Sequence, residues 1–232
     1  MNNRRRLLVI PARGNSKRIK NKNIKFFFNK PIIYYILDNA KNSKLFTKIH
    51  VSTDSKKIAR VVKKKISIDF FRPKILSTDK VPIIKVLQFV LKKYEESGLH
   101  FDEIWCALPC SPLIDVSDLI NISERLFKIK KALITVSKFP CPIEWALKIK
   151  GSKLIPVNKE QLLINSKNFS HKYFDTGQIG AFPINKFKAI KNNNAITSCY
   201  GHILPPEKSV DIDDITDWKL AEILYKGLKS KK

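Results

Sequence analysis

The chain has 232 residues, 44% of them hydrophobic, enough to bury a full core as one α/β domain and too apolar to stay disordered. Its 45 Lys and Arg against 20 Asp and Glu leave a formal charge of +25, which attracts polyanions of any kind. Since the excess is lysine scattered among asparagine and isoleucine, a compositional bias of the source genome explains it better than a nucleic-acid surface. The apolar run 7–12 is too short for a signal-peptide core or a membrane span, so a cytoplasmic protein with no membrane or nucleic-acid partner is expected. Cys106, Cys110, Cys141 and Cys199 form no C-x-x-C pair and read as reduced thiols rather than disulfides or a zinc site.

Short apolar runs alternate with amphipathic stretches through the first half, the pattern of β-α-β units and a parallel sheet. The spacing predicts strands over 7–10, 48–53, 104–108 and 132–137, with a short third strand at 70–71. Helices are predicted over 31–42, 55–64, 83–95 and 116–128, the last capped by Asp115 or Ser117. From 138 to 182 the alternation breaks into strand-like pieces at 145–149, 153–157 and 178–182 between polar and aromatic loops. This stretch reads as an insertion that covers the site or pairs with another subunit. An amphipathic helix over 217–228 closes the chain, and neither a repeat nor a linker divides it. In an open parallel sheet ligands gather at the carboxyl ends of the strands, so the loops after Ile10, Val51, Phe71, Leu108 and Val136 are the candidates.

The first of these loops follows a buried strand and carries Arg13, Gly14, Ser16, Lys17, Arg18, Lys22 and Asn23. Cations and backbone N–H groups on such a loop suit a nucleoside triphosphate, although a solvated connection has the same composition. It is neither a Walker loop, since no G-K-[ST] follows the glycine, nor a dinucleotide fingerprint, since it has one glycine. Thr53 or Asp54 reads as a helix cap. Arg72, followed by Pro73, sits on a stiffened loop and can read a base or a phosphate, or else pair with Asp79 on the surface. Cys110 lies between Pro109 and Pro112 with no base nearby in sequence and reads as packing. Asp211 and Asp213, two apart on an extended segment, project to one face and suit a hard cation such as Mg²⁺; the alternative is an acidic cap for the following helix, a role that fits Asp214.

Taken in order, these motifs resemble the acylneuraminate cytidylyltransferases, which make CMP-activated sialic acids. The resemblance rests on Ile10-Pro-Ala-Arg-Gly-x-Ser-Lys-Arg-Ile-x-x-Lys-Asn23, Val51-Ser-Thr-Asp-x-x-x-Ile-Ala59, Arg72-Pro-x-x-Leu-Ser-x-Asp79 and Asp211-Ile-Asp-x-x-x-Asp-Trp218. Two further stretches, 139–149 and 166–180 with Asp175-Thr-Gly-Gln178, look most like the branch that activates pseudaminic acid, a bacterial nonulosonic acid. The resemblance implies a three-layer α/β/α nucleotidyltransferase with a mainly parallel, Rossmann-like sheet, a dimerisation arm drawn from 139–182, and a homodimer. It implies that the anomeric 2-hydroxyl of a nonulosonic acid attacks the α-phosphorus of CTP and pyrophosphate leaves. By motif, Arg13, Ser16 and Lys22 would hold the triphosphate, with Gly14 and Asp79 in the same nucleotide site. Asn23 and Arg72 would contact cytosine or ribose, Asp211 and Asp213 would bind Mg²⁺, and Gln178 would meet the sugar. Arg13, Lys22 and Asp213 are the residues expected to carry catalysis.

There are departures from the family pattern. Leu108 and Ile114 stand where many sialate-activating members have glutamine and arginine, and Lys85 and Phe89 stand where many have Asp and His. Leu108 and Ile114 argue against ordinary sialic acid as the substrate, and any role of the Asp and His side chains is missing at Lys85 and Phe89. The competing expectations are a cytidylyltransferase for N-acetylneuraminic, legionaminic or 3-deoxy-octulosonic acid and, in another class, a basic nucleic-acid-binding protein.

Overall fold

The computed structural model describes residues 4–190 and 196–230. Its strands are β1 (Arg6–Pro11), β2 (Phe26–Phe27), β3 (Lys30–Pro31), β4 (Lys48–Ser52), β5 (Glu103–Ala107), β6 (Leu133–Lys138), β7 (Leu147–Lys150), β8 (Lys153–Pro156), β9 (Tyr173–Pro183) and β10 (Tyr200–Ile203). Its α-helices are α1 (Ile33–Asn42), α2 (Lys56–Val62), α3 (Ile83–Glu96), α4 (Val116–Ile129), α5 (Ile184–Lys188) and α6 (Ile215–Ser230). The main sheet has the order β10-β6-β9-β5-β1-β4. β1 runs parallel to β4 and β5, β10 runs parallel to β6, and β9 alone is antiparallel to its neighbours β5 and β6.

Strand periodicity explains the layers. Leu7 and Val9 point to one face, where they pack with Ile84, Leu87, Val90 and Leu91 of α3. Leu8 and Ile10 point to the other, against Ile36 and Leu37 of α1, Val62 of α2 and Ile122 of α4. Burying each such side chain contributes about 1.5–3 kcal/mol, which holds β1 inside the sheet between β5 and β4. A third cluster packs Trp218 and Ala221 of α6 on Phe27, Tyr35 and Ile212. It anchors the carboxyl-terminal segment beside the loop that leaves β1.

Three expectations are corrected. No strand forms at 70–71: Phe70 stacks on His50 at 4.4 Å between ring centres, and Pro73 has no N–H with which to continue a ladder. The stretch 178–182 belongs to the longer β9 inside the main sheet, so the insertion ends near residue 172 rather than 182. Within it β7 and β8 form a separate hairpin, turned by Gly151 at φ 60° and Ser152. α2 is capped by Ser55, whose side chain accepts from Ile58 N, and not by Thr53 or Asp54. Two other caps are where they were expected. Asp115 caps α4 in a reciprocal box with Asp118, and Asp214 Oδ1 accepts from Thr216 N and Asp217 N at the head of α6.

Candidate active site

The carboxyl end of β1 opens into a cavity of about 680 Å³, and the segment between α2 and α3 and the loop after β5 converge on it. The loop from β1 is tied down first. Ala12 N donates to Ser52 O at 2.9 Å and Gly14 N donates to Asp54 Oδ1 at 2.9 Å. A Cβ on Gly14 would lie 2.8 Å from Ser55 Cβ, so the glycine is required for the loop to cross the start of α2. Its amide donates to Asp54 and it stays out of the cavity lining, so in this structure Gly14 spaces the loop from the start of α2. Asp54, expected as a cap, is what receives it.

Asn23 braces the loop, its Nδ2 donating to Arg13 O at 3.0 Å and its Oδ1 accepting from Cys110 Sγ at 3.5 Å; one N–H and one oxygen lone pair of the amide remain, and the residue lines the cavity. Burial pushes the Cys110 thiol up to about 12, which keeps it a neutral donor and agrees with a packing role. Lys22 Nζ donates to Ile212 O at 2.6 Å and lies 3.3 Å from Asp213 Oδ1, and Arg18 meets the same carboxylate at 2.8 Å. On the facing loop Asp79 pairs with Arg13 and, at 2.8 Å, with Lys17; these cations hold its carboxyl below the usual range, Lys17 first and Arg13 next. Asp79 therefore neutralises cations of the β1 loop rather than pairing with Arg72, and it lines the cavity with them.

Arg72 is buried, 6% exposed, with Nε and Nη2 free of any hydrogen-bond partner. Its own N–H donates to Thr53 O at 2.8 Å, which locks the loop against the end of β4. Ser111 Oγ and Gln178 Oε1 are likewise buried without a partner, and all three residues line the cavity. Unpaired buried polar groups cost about 1–3 kcal/mol each. Three residues converging on one cavity mark a place built for a ligand. Ser111 was not expected; its only sequence signal is its place between Pro109 and Pro112, which stiffen the turn after β5. Ser16 lines the same cavity beside Lys17.

Asp211 and Asp213 both line the cavity, with Ile212 between them fully buried, so the extended segment projects the pair to one side as its spacing requires. Burial raises the pKa of Asp211, and the neighbouring charge of Asp213 raises it further. Mutual repulsion of this kind is what a hard cation relieves. Among the described residues no group of three or more His, Cys, Asp and Glu could hold a metal. Two carboxylates nevertheless fit Mg²⁺, which commonly takes one or two carboxylates and fills its remaining positions with water and substrate phosphates.

Comparison with known proteins agrees with this geometry. The chain is 31% identical over 225 residues to the pseudaminic acid cytidylyltransferase of Campylobacter jejuni, covering 95% of this chain and 96% of that one. It is 30% identical over 228 residues to the CMP-N,N'-diacetyllegionaminic acid synthase of Legionella pneumophila, covering 94% and 95%. A CMP:2-keto-3-deoxy-manno-octonic acid synthetase, solved with CTP, superposes with a TM-score of 0.67 at 12% identity over 97% of this chain and 99% of that one, a likeness of fold. No helix among the described residues is long and apolar enough to cross a membrane. The family model described as Cytidylyltransferase matches residues 7–200, a span that holds the β1 loop, Arg72, Ser111 and Gln178, and the chain belongs to that family of nucleotidyltransferases.

Proposed function

We propose that this protein transfers CMP from CTP to the anomeric 2-hydroxyl of a nonulosonic acid, pseudaminic acid before the others, and releases pyrophosphate. The 2-oxygen bonds to the α-phosphorus, the bond from that phosphorus to the β-phosphate oxygen breaks, and the hydroxyl proton leaves to solvent. The observation that carries this reading is the set of unpartnered buried groups of Arg72, Ser111 and Gln178 in a cavity rimmed by Arg13, Lys17, Arg18 and Lys22.

In this reading Arg13, Ser16 and Lys22 hold the triphosphate, and the incoming phosphates replace Asp79 and Asp213 as partners of the loop cations. Arg72 presents its fork of donors to the cytosine or ribose. Asp211 and Asp213 would hold Mg²⁺, which when bound compensates charge on the leaving pyrophosphate and acidifies the attacking hydroxyl. Leu108, at the position where many sialate-activating relatives have glutamine, gives the sugar end an apolar wall and favours pseudaminic acid over N-acetylneuraminic acid.

The same reading gives the protein a homodimer built through the β7–β8 arm, where Ile149 is 74% and Leu154 59% exposed. It also puts the enzyme in the cytoplasm with its nucleotide substrate. Family membership sets aside the nucleic-acid reading of the +25 charge.

The test offers purified protein CTP, Mg²⁺ and a panel of nonulosonic and octulosonic acids and measures pyrophosphate release. Release with pseudaminic acid well above the other acids is expected. Release with none of them, or without any dependence on the divalent ion, would overturn the proposal.

A further inference from the structure

The segment that carries the acidic pair belongs to no strand: residues 209–214 run across the mouth of the sheet without a ladder. Their backbone carbonyls must therefore find donors elsewhere. Lys22 Nζ donates to Ile212 O at 2.6 Å, and Gln178 of β9 holds the stretch just before it, its Nε2 donating to Lys208 O at 2.8 Å and to Val210 O at 3.1 Å. Because both partners are carbonyl oxygens, which only accept, the nitrogen end of the amide must face them and the oxygen end must face away. Gln178 is itself held from behind, since its main-chain carbonyl accepts from Leu108 N at 2.9 Å, and the residue is 3% exposed. The preceding Gly177 has φ 66°, and a Cβ there would lie 4.0 Å from Asp211 Oδ2 and 3.7 Å from Leu108 Cδ1. Asp211, Leu108 and Gln178 all line the cavity, and Gln178 Oε1 has no partner.

We propose that Gln178 is a positioning residue for the acidic pair, its Nε2 setting the path of 208–210 and with it the Asp211 carboxylate, while its Oε1 accepts one hydroxyl or acylamido N–H of the sugar acid. The inference rests on the reading of the site given above and adds a coupling to it: one amide links the metal carboxylate to the acceptor substrate. An amide oxygen in this place takes a donor and repels a carboxylate, so it meets the hydroxylated or acylated side of the sugar acid rather than its carboxyl group.

Two variants separate the halves. Gln178→Met keeps the length of the side chain and removes both the donors and the acceptor, whereas Gln178→Glu keeps an acceptor oxygen and turns it against two carbonyls. Mn²⁺ binding to the CTP-loaded protein, followed by paramagnetic resonance, reads the carboxylates without turnover. The KM for the sugar acid reads the acceptor, and CTP binding without metal is the control. Both variants are expected to weaken Mn²⁺ about tenfold, the size of one lost set of buried hydrogen bonds, with CTP binding changed less than about twofold. Only Gln178→Met is expected to raise the sugar-acid KM by a comparable factor. Mn²⁺ affinity within about twofold of wild type in a variant with a normal thermal midpoint overturns the positioning role, and so does a parallel loss of all three constants. If no nonulosonic acid is turned over by the wild type, the functional reading fails, and the Mn²⁺ titration still decides the role of Gln178 on its own.

Discussion

β1 and the β7–β8 hairpin are both short runs rich in Leu and Ile, and they end in opposite environments. Leu7, Leu8, Val9 and Ile10 are 0% exposed, with a parallel strand on either side and helices on both faces. Leu147, Ile149 and Leu154 are 46%, 74% and 59% exposed, and their two strands pair only with each other. A lone two-stranded hairpin is marginal in water, and a cluster of exposed apolar side chains marks a surface meant to be covered. The same residue types thus build a finished floor for the chemistry in one place and an unfinished edge in the other. What differs is the number of neighbouring layers, which local sequence does not state.

The sharpest way to break the contrast is at the finished end. Arg13→Ala and Asp213→Asn remove groups that face the cavity from loops the sheet already holds, so turnover should fall by at least about 100-fold while the thermal midpoint barely moves. Steady-state rates together with a thermal melt decide it, and near-normal turnover in either variant would remove that residue from the mechanism. At the unfinished end, Ile149→Lys combined with Leu154→Lys should convert a two-chain species to a one-chain species in sedimentation, with the core melting as before. A variant that stays paired would take the hairpin out of the interface.

Much of the fold was legible because the governing periods are local. The apolar positions of α1, α3 and α4 recur at helical spacing, and the parallel strands read as short buried runs. That the basic loop after β1 and the Asp211–Asp213 pair share one cavity was also legible, since residue type and spacing are local. The first half of β9, residues 173–177, is not legible as strand because its inward Thr176 is polar: Thr176 Oγ1 donates to Thr135 O at 3.0 Å, a pairing 41 residues distant. The partners of Gly14 and Asn23, Asp54 and Cys110, come from other loops, and only the assembled fold shows that Asp79 closes on Arg13 and Lys17.

The smallest expected effect lies inside the finished region, beside β1, and it concerns stability rather than rate. His50 of β4 pairs in register with Val9 and is 1% exposed. Tyr94 donates its single hydroxyl proton to Asp69 Oδ2 at 2.6 Å, so the 3.0 Å contact between Tyr94 Oη and His50 Nδ1 requires the imidazole to donate from Nδ1. Nε2 is then the site for a second proton, and it is buried without a partner. Burial, ahead of any neighbouring charge, lowers the His50 pKa to about 4. Between that value and the ordinary 6.5 the unfolded chain binds a proton that the folded chain refuses. Stability is therefore full above about pH 6.5, falls as the pH drops toward 4, and loses nothing more from this group below that. The gap bounds the loss at about 3 kcal/mol. Denaturant melts at pH 7 and pH 4.5 should show a large part of that loss, and His50→Gln, which keeps an N–H for Tyr94 but does not titrate, should flatten the dependence. Equal losses in the wild type and the variant would assign the acid sensitivity to another group.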